Sequence, residues 1–131
     1  MSPTEYISQQ APERQAIMTA LHESVLANDK TVAPVVEPMM GKEMIIYKEG
    51  STTMKYALSS VKKYMSVHCL PMYMNPAIHG KYSALLPNVE FQKGCFNFTK
   101  ADEVPLDIAG QLFAECAQIS IVALLANRKK K

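Results

Sequence analysis

The stretch from Glu37 to Leu70 constrains the fold more than any other part of the chain. It holds three short runs of strand character, Met44 to Lys48, Met54 to Leu58 and Lys63 to Leu70. Glu49-Gly50-Ser51 closes the first run and Ser59-Ser60 follows the second, which is turn chemistry. Connections this short leave no room for the crossover that a parallel pair requires, so the three runs are expected as antiparallel neighbours. In the second run, alternation puts Met54, Tyr56 and Leu58 on one face and Lys55 and Ala57 on the other. In the third, Met65, Val67 and Cys69 alternate with Tyr64, Ser66 and His68.

Helical signals flank these strands. Ser2 can cap a short helix that starts at Pro3 and ends near Gln10, with Glu5 completing a capping box. Pro12 opens a second helix that runs to Asn28-Asp29, with an apolar stripe of Ile17, Met18, Leu21, Val25 and Leu26. Pro34 and Pro38 leave Val32 to Val36 undecided between strand and loop. A short helix is expected from Pro76 to Leu86, then a fourth strand from Val89 to Phe98 with Gly94 as a bulge or close-approach point. After Asp102-Glu103-Val104-Pro105, one long helix is expected from Leu106 towards Asn127, with Ile108, Leu112, Cys116, Ile119 and Ala123 as its inner stripe. Its second half is apolar on more sides than one contact face needs. A self-associating surface that includes Ile121 and Leu125 is therefore expected, giving a homodimer through the C-terminal helix. Residues 128–131 form a basic tail. Helices, then adjacent strands, then helices predict one α+β domain over residues 1–131. Its antiparallel sheet, of about four to five strands, packs against the N- and C-terminal helices.

Composition narrows the function classes. The chain has 131 residues, 48% hydrophobic and 20% charged, which suits a globular domain with a real core. A net charge of +2 is too mild for a dedicated nucleic-acid binder. Cys69, Cys95 and Cys116 are odd in number and far apart, and no Cys-x-x-Cys pair exists, so zinc-ribbon and thioredoxin-like readings fail on spacing. They read as buried thiols of a reducing compartment. The first ten residues have no basic region followed by an apolar run, and no stretch is long and apolar enough to span a bilayer. The expected location is cytoplasmic, with no membrane partner.

The order of several soft motifs carries a family resemblance. Tyr6, Pro12-Glu13-Arg14 and Glu37-Pro38-Met39-Met40-Gly41 are followed by Tyr47, Tyr56-Ala57, Lys63-Tyr64-Met65-Ser66 and Gly80-Lys81-Tyr82. Lys93 to Phe98 and Val104-Pro105 complete the series. In this order the chain resembles the YdhG-like family of small bacterial domains of unknown function. The resemblance implies a compact α+β fold with an antiparallel sheet against helices. Some relatives are described as frataxin-like intracellular iron chaperones, so it also implies an iron-binding alternative. By residue type alone, an iron site wants clustered carboxylates or imidazoles. Glu5, Glu13, Glu23 and Asp29 are instead spread along the first two helices among Arg14 and His22.

No catalytic residue, metal ligand or cofactor is assigned from the residues. His22, His68 and His79 lie in three separate segments. His68 and Cys69 are adjacent in a strand and point to opposite faces, so they cannot pair directly. Cys95 lies beside Lys93 and Gly94, where an approaching lysine would favour a thiolate. The methionines, Met39, Met40, Met44, Met54 and Met65 among them, read first as core filling. The candidate ligand-binding residues are Lys55, Lys62, Lys63, Lys81 and Lys93, with Tyr64 and Tyr82 near them in sequence. On one sheet face these lysines would form an anion-attracting groove. The expected function is a non-enzymatic binding or carrier role, for an anionic small molecule or a protein partner. The alternatives are a frataxin-like iron-binding chaperone and, third, an enzyme using Cys95 or His68.

Overall fold

The computed structural model describes residues 1–129; the side chains of the expected basic tail, residues 128–131, lie outside the described residues. Two helices, α1 (Pro3–Ser8) and α2 (Pro12–Asn28), precede four strands, β1 (Val32–Met39), β2 (Lys42–Glu49), β3 (Thr53–Ser60) and β4 (Met65–Cys69). Helices α3 (Leu70–Met74) and α4 (Pro76–Leu85), strands β5 (Glu90–Phe91) and β6 (Cys95–Phe98), and helices α5 (Leu106–Cys116) and α6 (Ile121–Lys129) complete the chain. The fold is α+β, with one six-stranded antiparallel sheet in the order β1-β2-β3-β4-β6-β5. No single helix among the described residues is long and apolar enough to cross a membrane.

Local chemistry explains most boundaries. The capping box of α1 forms as expected: the Ser2 hydroxyl accepts from the Glu5 amide at 3.1 Å, and the Glu5 carboxylate accepts from the Ser2 amide at 3.1 Å. The undecided segment is a strand, because Met40 (φ 54°) and Gly41 (φ 80°) make a tight two-residue turn that folds β1 back on β2. Pro34 and Pro38 are tolerated because β1 is an edge strand. The expected fourth strand is instead a hairpin, β5 and β6, joined by Gln92-Lys93-Gly94. Gly94 is a close-approach point: a Cβ there would meet the Tyr73 Cβ at 3.3 Å.

One face of the sheet carries the core. Ile45, Tyr47, Tyr56, Leu58, Val67 and Phe96 pack against Met18, Leu21, Leu112 and Phe113 of α2 and α5. Met65, Val67 and Cys69 all point into this core, as the alternation predicts. The other face carries a smaller apolar cluster of Met44, Ile46 and Ala57, with Met39 and Met54 against it.

Met54 therefore does not share a face with Tyr56 and Leu58. A β-bulge is the reason: Tyr47 pairs with Tyr56 but Lys48 pairs with Met54, so Lys55 is an extra residue in β3. The bulge turns Lys55 to the helix side, where it is 0% exposed. There its ammonium lies 2.8 Å from the carboxylate of Asp29, itself 0% exposed at the end of α2. The Tyr56 hydroxyl donates to the same carboxylate at 2.7 Å, and the Thr31 amide and hydroxyl donate at 2.9 and 2.5 Å. Arg14, at the other end of α2, donates to the Ser60 hydroxyl at 2.7 Å and to the carbonyls of Val61 and Lys62 at 2.5 and 3.2 Å. Helix α2 is thus fastened along β3 at both ends.

The expected single C-terminal helix is two helices. The Ser120 hydroxyl accepts from the Ala123 amide at 3.1 Å and caps α6. Glu49, from the end of β2, accepts from the Ser120 hydroxyl at 2.5 Å and from the Ile121 amide at 2.8 Å. A carboxylate on these first donors suits the positive end of a helix. The break resets the stripe: Ala123, expected inside, is exposed, and Ile121 is 0% exposed. Of the two residues named for the expected self-associating surface, Ile121 is covered by its own chain and Leu125 is partly buried.

Breaking the Asp29–Lys55 pair leaves a buried charge unpaired. Lys55→Met is expected to lose about 3–5 kcal/mol in urea unfolding, with much of the loss recovered in Lys55→Met/Asp29→Leu. A single variant within 1 kcal/mol of the parent would show the pair to be solvated, about the value of an exposed pair. Burial pushes the Asp29 carboxyl up, but hydrogen bonds from Lys55, Thr31 and Tyr56 together hold it below its ordinary value of 3.8. A depressed folded pKa stabilises the fold above that ordinary value. This contribution should be lost as pH falls below about 4 and through the folded pKa, which acid titration of the parent and the double variant will compare.

Candidate functional site

The candidate lysines do not share a groove. Lys55 is internal, in the ion pair with Asp29. Lys62, Lys63 and Tyr64 lie on the β3–β4 turn that Arg14 holds. Lys81 and Tyr82 are on α4, and both donate to Glu115 of α5 at 2.8 Å. Those two bonds hold the Glu115 carboxyl below its ordinary value, so Lys81 already has its anion. Lys93 sits in the β5–β6 turn beside an open hollow of about 530 Å³, with Tyr73, His79 and Gly80. Lys63 and Tyr64 border a shallow hollow of about 210 Å³ that also includes Glu90 and Glu103. Among these hollows none is lined by more than one of the five lysines. The lysine positions spread because the bulge turns Lys55 inward and the others occupy turns and a helix on different sides of the sheet.

A different site emerges on the sheet face away from the core. Antiparallel partners put their side chains on the same face, so the register can be read across the strands as rows. Ser59 pairs with Ser66, Ser66 with Asn97, and Asn97 with Glu90. In the next row Ile46 pairs with Ala57, Ala57 with His68, and His68 with Cys95. The small side chains of Ser59 and Ser66 leave a trough of about 290 Å³, lined wholly by strands and the turns between them. Met39, Met40 and Lys42 border it at the β1–β2 turn, Tyr64 at the β3–β4 turn and Gln92 at the β5–β6 turn. Tyr64, 37% exposed, is the one candidate ligand-binding residue from the sequence that lines it, together with His68 and Cys95 of the enzyme alternative.

The floor of the trough is polar and nearly uncharged. Asn97 donates to the Glu90 carboxylate at 3.1 Å, which fixes its amide across β5 and β6. The Cys95 thiol donates to the Gln92 side-chain carbonyl at 3.2 Å. Burial pushes the Cys95 thiol up and the His68 imidazole down, so both stay in their neutral forms near pH 7. Lys42 is the cation on the lining. The sequence pairs His68 with Cys69 as neighbours and correctly separates their faces; the true neighbour of His68 is Cys95, through the non-sequential pairing of β4 with β6. The overlooked signal was the alternation of Cys95 and Asn97 with Phe96 and Phe98, which repeats that of Ser66 and His68 with Met65, Val67 and Cys69.

The other thiols are out of reach. Cys69 and Cys116 face each other in the core, Sγ to Sγ 3.8 Å. Among the described residues no group of three or more His, Cys, Asp or Glu side chains could hold a metal ion. Comparison with family models, with curated proteins and with solved structures gives no match to this chain.

Cys95, 8% exposed at the trough, should be the single thiol of the folded chain that a small alkylating reagent modifies, with Cys69 and Cys116, both 0% exposed, reacting only on unfolding. Its reaction should be slow near neutral pH and accelerate in alkali, since the thiolate is the nucleophile and burial disfavours it. Peptide mass mapping after iodoacetamide treatment checks this. Equal labelling of Cys95 and Cys116 in native buffer would contradict the burial order.

Proposed function

We propose that the chain is a non-enzymatic binding or carrier protein whose small-molecule cargo lies in the trough across β3, β4 and β6. The observation that carries this reading is a hollow of about 290 Å³ floored by Ser59, Ser66 and Asn97 on a sheet face where no helix residue lines it. Its size is near the lower end of ligand hollows, about 300–1,000 Å³, which fits a small polar molecule. Hydroxyl and amide groups on the floor and the thioethers of Met39 and Met44 at the side supply hydrogen bonds and apolar contact. With Lys42 as the cation on the lining, the favoured cargo is uncharged or carries a single negative charge. The anionic part of the expectation thus rests on Lys42 and not on the five scattered lysines.

The neutral Cys95 thiol and neutral His68 imidazole favour binding over nucleophilic chemistry. The frataxin-like alternative has no carboxylate or imidazole cluster to rest on among the described residues. Membership of the YdhG-like family belongs to the same proposal, supported by the order of its motifs along the chain.

Ser66→Leu tests the reading. The side chain faces away from the helices, so the substitution fills the trough without entering the main core. In a thermal-shift panel of small polar metabolites, uncharged and singly anionic, at least one compound should raise the Tm of the parent, and that shift should vanish in Ser66→Leu. Tyr73→Ala, at the larger open hollow, should keep it. A shift that survives in Ser66→Leu and disappears in Tyr73→Ala would move the site to that hollow.

A further inference from the structure

Helix α4 carries a glycine that the fold does not ask for. Gly80 lies in the middle of Pro76–Leu85, where glycine is the least favourable residue after proline. Its φ is not positive, and a Cβ built on it would meet nothing within 4 Å. Neither a turn nor close packing inside the chain therefore accounts for it. What Gly80 leaves open is the hollow of about 530 Å³ that Met72, Tyr73, Pro76, His79 and Lys93 also line. A missing side chain at such a point lets a flat group come close to the helix backbone. The other walls are held in place. The Tyr73 ring, 57% exposed, leans on Gly94, with Cδ2 and Cγ 3.4 and 3.6 Å from where a Cβ would stand. His79 donates from Nε2 to the Gln92 carbonyl at 2.8 Å and meets Phe91 edge-to-face at 5.7 Å. The Gly94 carbonyl accepts from the Cys69 amide at 2.8 Å. The β5–β6 turn is thus pinned on either side of Lys93. The charge is one-sided: the lining has no carboxylate, and among the described residues Lys93, unlike Lys81, has no carboxylate partner.

We propose that this hollow is a second binding site, for a planar aromatic molecule that carries one carboxylate. The ring lies over Gly80, beside Tyr73 and the apolar surface of Met72 and Pro76, and the carboxylate meets the Lys93 ammonium. Tyr73 offers the contact that rings favour, offset or edge-on. The volume falls within the range of ligand hollows, about 300–1,000 Å³, and has room for one or two fused rings. Because the walls are ordered before binding, Lys93 is the main side chain whose freedom is lost. Its charge-assisted bond separates an acid from the matching neutral amide. A phosphate or a dicarboxylate would bring two negative charges to one cation, so charge favours the monocarboxylate. The hollow shares no lining residue with the trough, and the inference does not depend on the trough being a site.

The chain has no tryptophan, so indole-3-acetate serves as its own fluorescent probe when excited beyond the tyrosine band. Titrating the full-length chain into it should raise the probe's anisotropy to a plateau, with a Kd of about 1 mM or tighter. Indole-3-acetamide, the neutral analogue, should bind about 10-fold more weakly, and Lys93→Gln should weaken acetate binding by a similar factor. Tyr73→Ala keeps the Cβ that rests on Gly94 and should weaken binding about 5-fold. Gly80→Leu should abolish binding while the Tm stays the same or rises, since leucine is the better helix former and has open space to enter. Ser66→Leu, in the trough, should bind as the parent does. Circular dichroism will show which variants are folded. A parent that leaves the anisotropy flat overturns the inference. So does a folded Gly80→Leu variant with parental affinity, and so does equal affinity for the acetate and the acetamide. Loss of binding in Ser66→Leu but not in Gly80→Leu overturns it by placing the probe in the trough.

Discussion

The buried pair of Lys55 with Asp29 fixes how the helical layer sits on the sheet. A lysine and an aspartate at 0% exposure would each be costly alone, and the pair is tolerated because the Asp29 carboxylate is also bonded by Tyr56 and Thr31. Asp29 is the hub, since Tyr56, Thr31 and Lys55 all bond its carboxylate, so the network favours one arrangement of α2 on β3. The bulge at Lys55 is what makes the pair geometrically available. Without the extra residue, Lys55 would point to the trough face and Asp29 would face an apolar strand. Arg14 then sets the second point of the line, at the far end of β3. A helix held at two points cannot slide or rotate, and the Ile17, Met18, Leu21 and Val25 stripe is delivered to the sheet in one register.

The same logic explains which parts of the fold could be read from the sequence. Signals that depend on near neighbours were legible: the Ser2–Glu5 capping box, Pro12 at a helix start, and the inward set of Met65, Val67 and Cys69. Features completed by a distant side chain were not. Nothing local marks Lys55 as an extra residue, because its reason is a carboxylate 26 positions earlier in the chain. Nothing near Ser120 requires a helix break until Glu49 of β2 is brought to its amides. In isolation, residues 106–127 satisfy helical periodicity throughout, and tertiary contact overrides it. The strand at Val32 was undecided for a similar reason, since its prolines are acceptable only once β1 is known to lie at an edge.

The candidate site was less legible than the fold because it is a property of strand order. Charged residues near the strands drew attention to Lys55, Lys62, Lys63, Lys81 and Lys93, yet proximity in sequence says little about which face a lysine takes once bulges, turns and helices intervene. The trough needs β6 to lie between β4 and β5, which brings Cys95 and Asn97 beside His68 and Ser66. Four outward positions on two strands then become one surface.

That surface poses an energetic question that bears on function. An open sheet face usually carries long polar side chains that remain in water. Here Ser59, Ser66 and Asn97 are buried at the floor of a hollow, screened by the taller Met39, Tyr64 and Gln92 around them. Removing polar groups from water costs free energy unless each finds a partner. Asn97 does so through Glu90, and among the described residues no buried side-chain nitrogen or oxygen lacks a partner. The floor is therefore polar without weakening the fold, and the short serine side chains keep open a hollow that longer residues would fill. A ligand entering it meets hydroxyl and amide groups already held in place by the strands, so little ordering has to accompany binding.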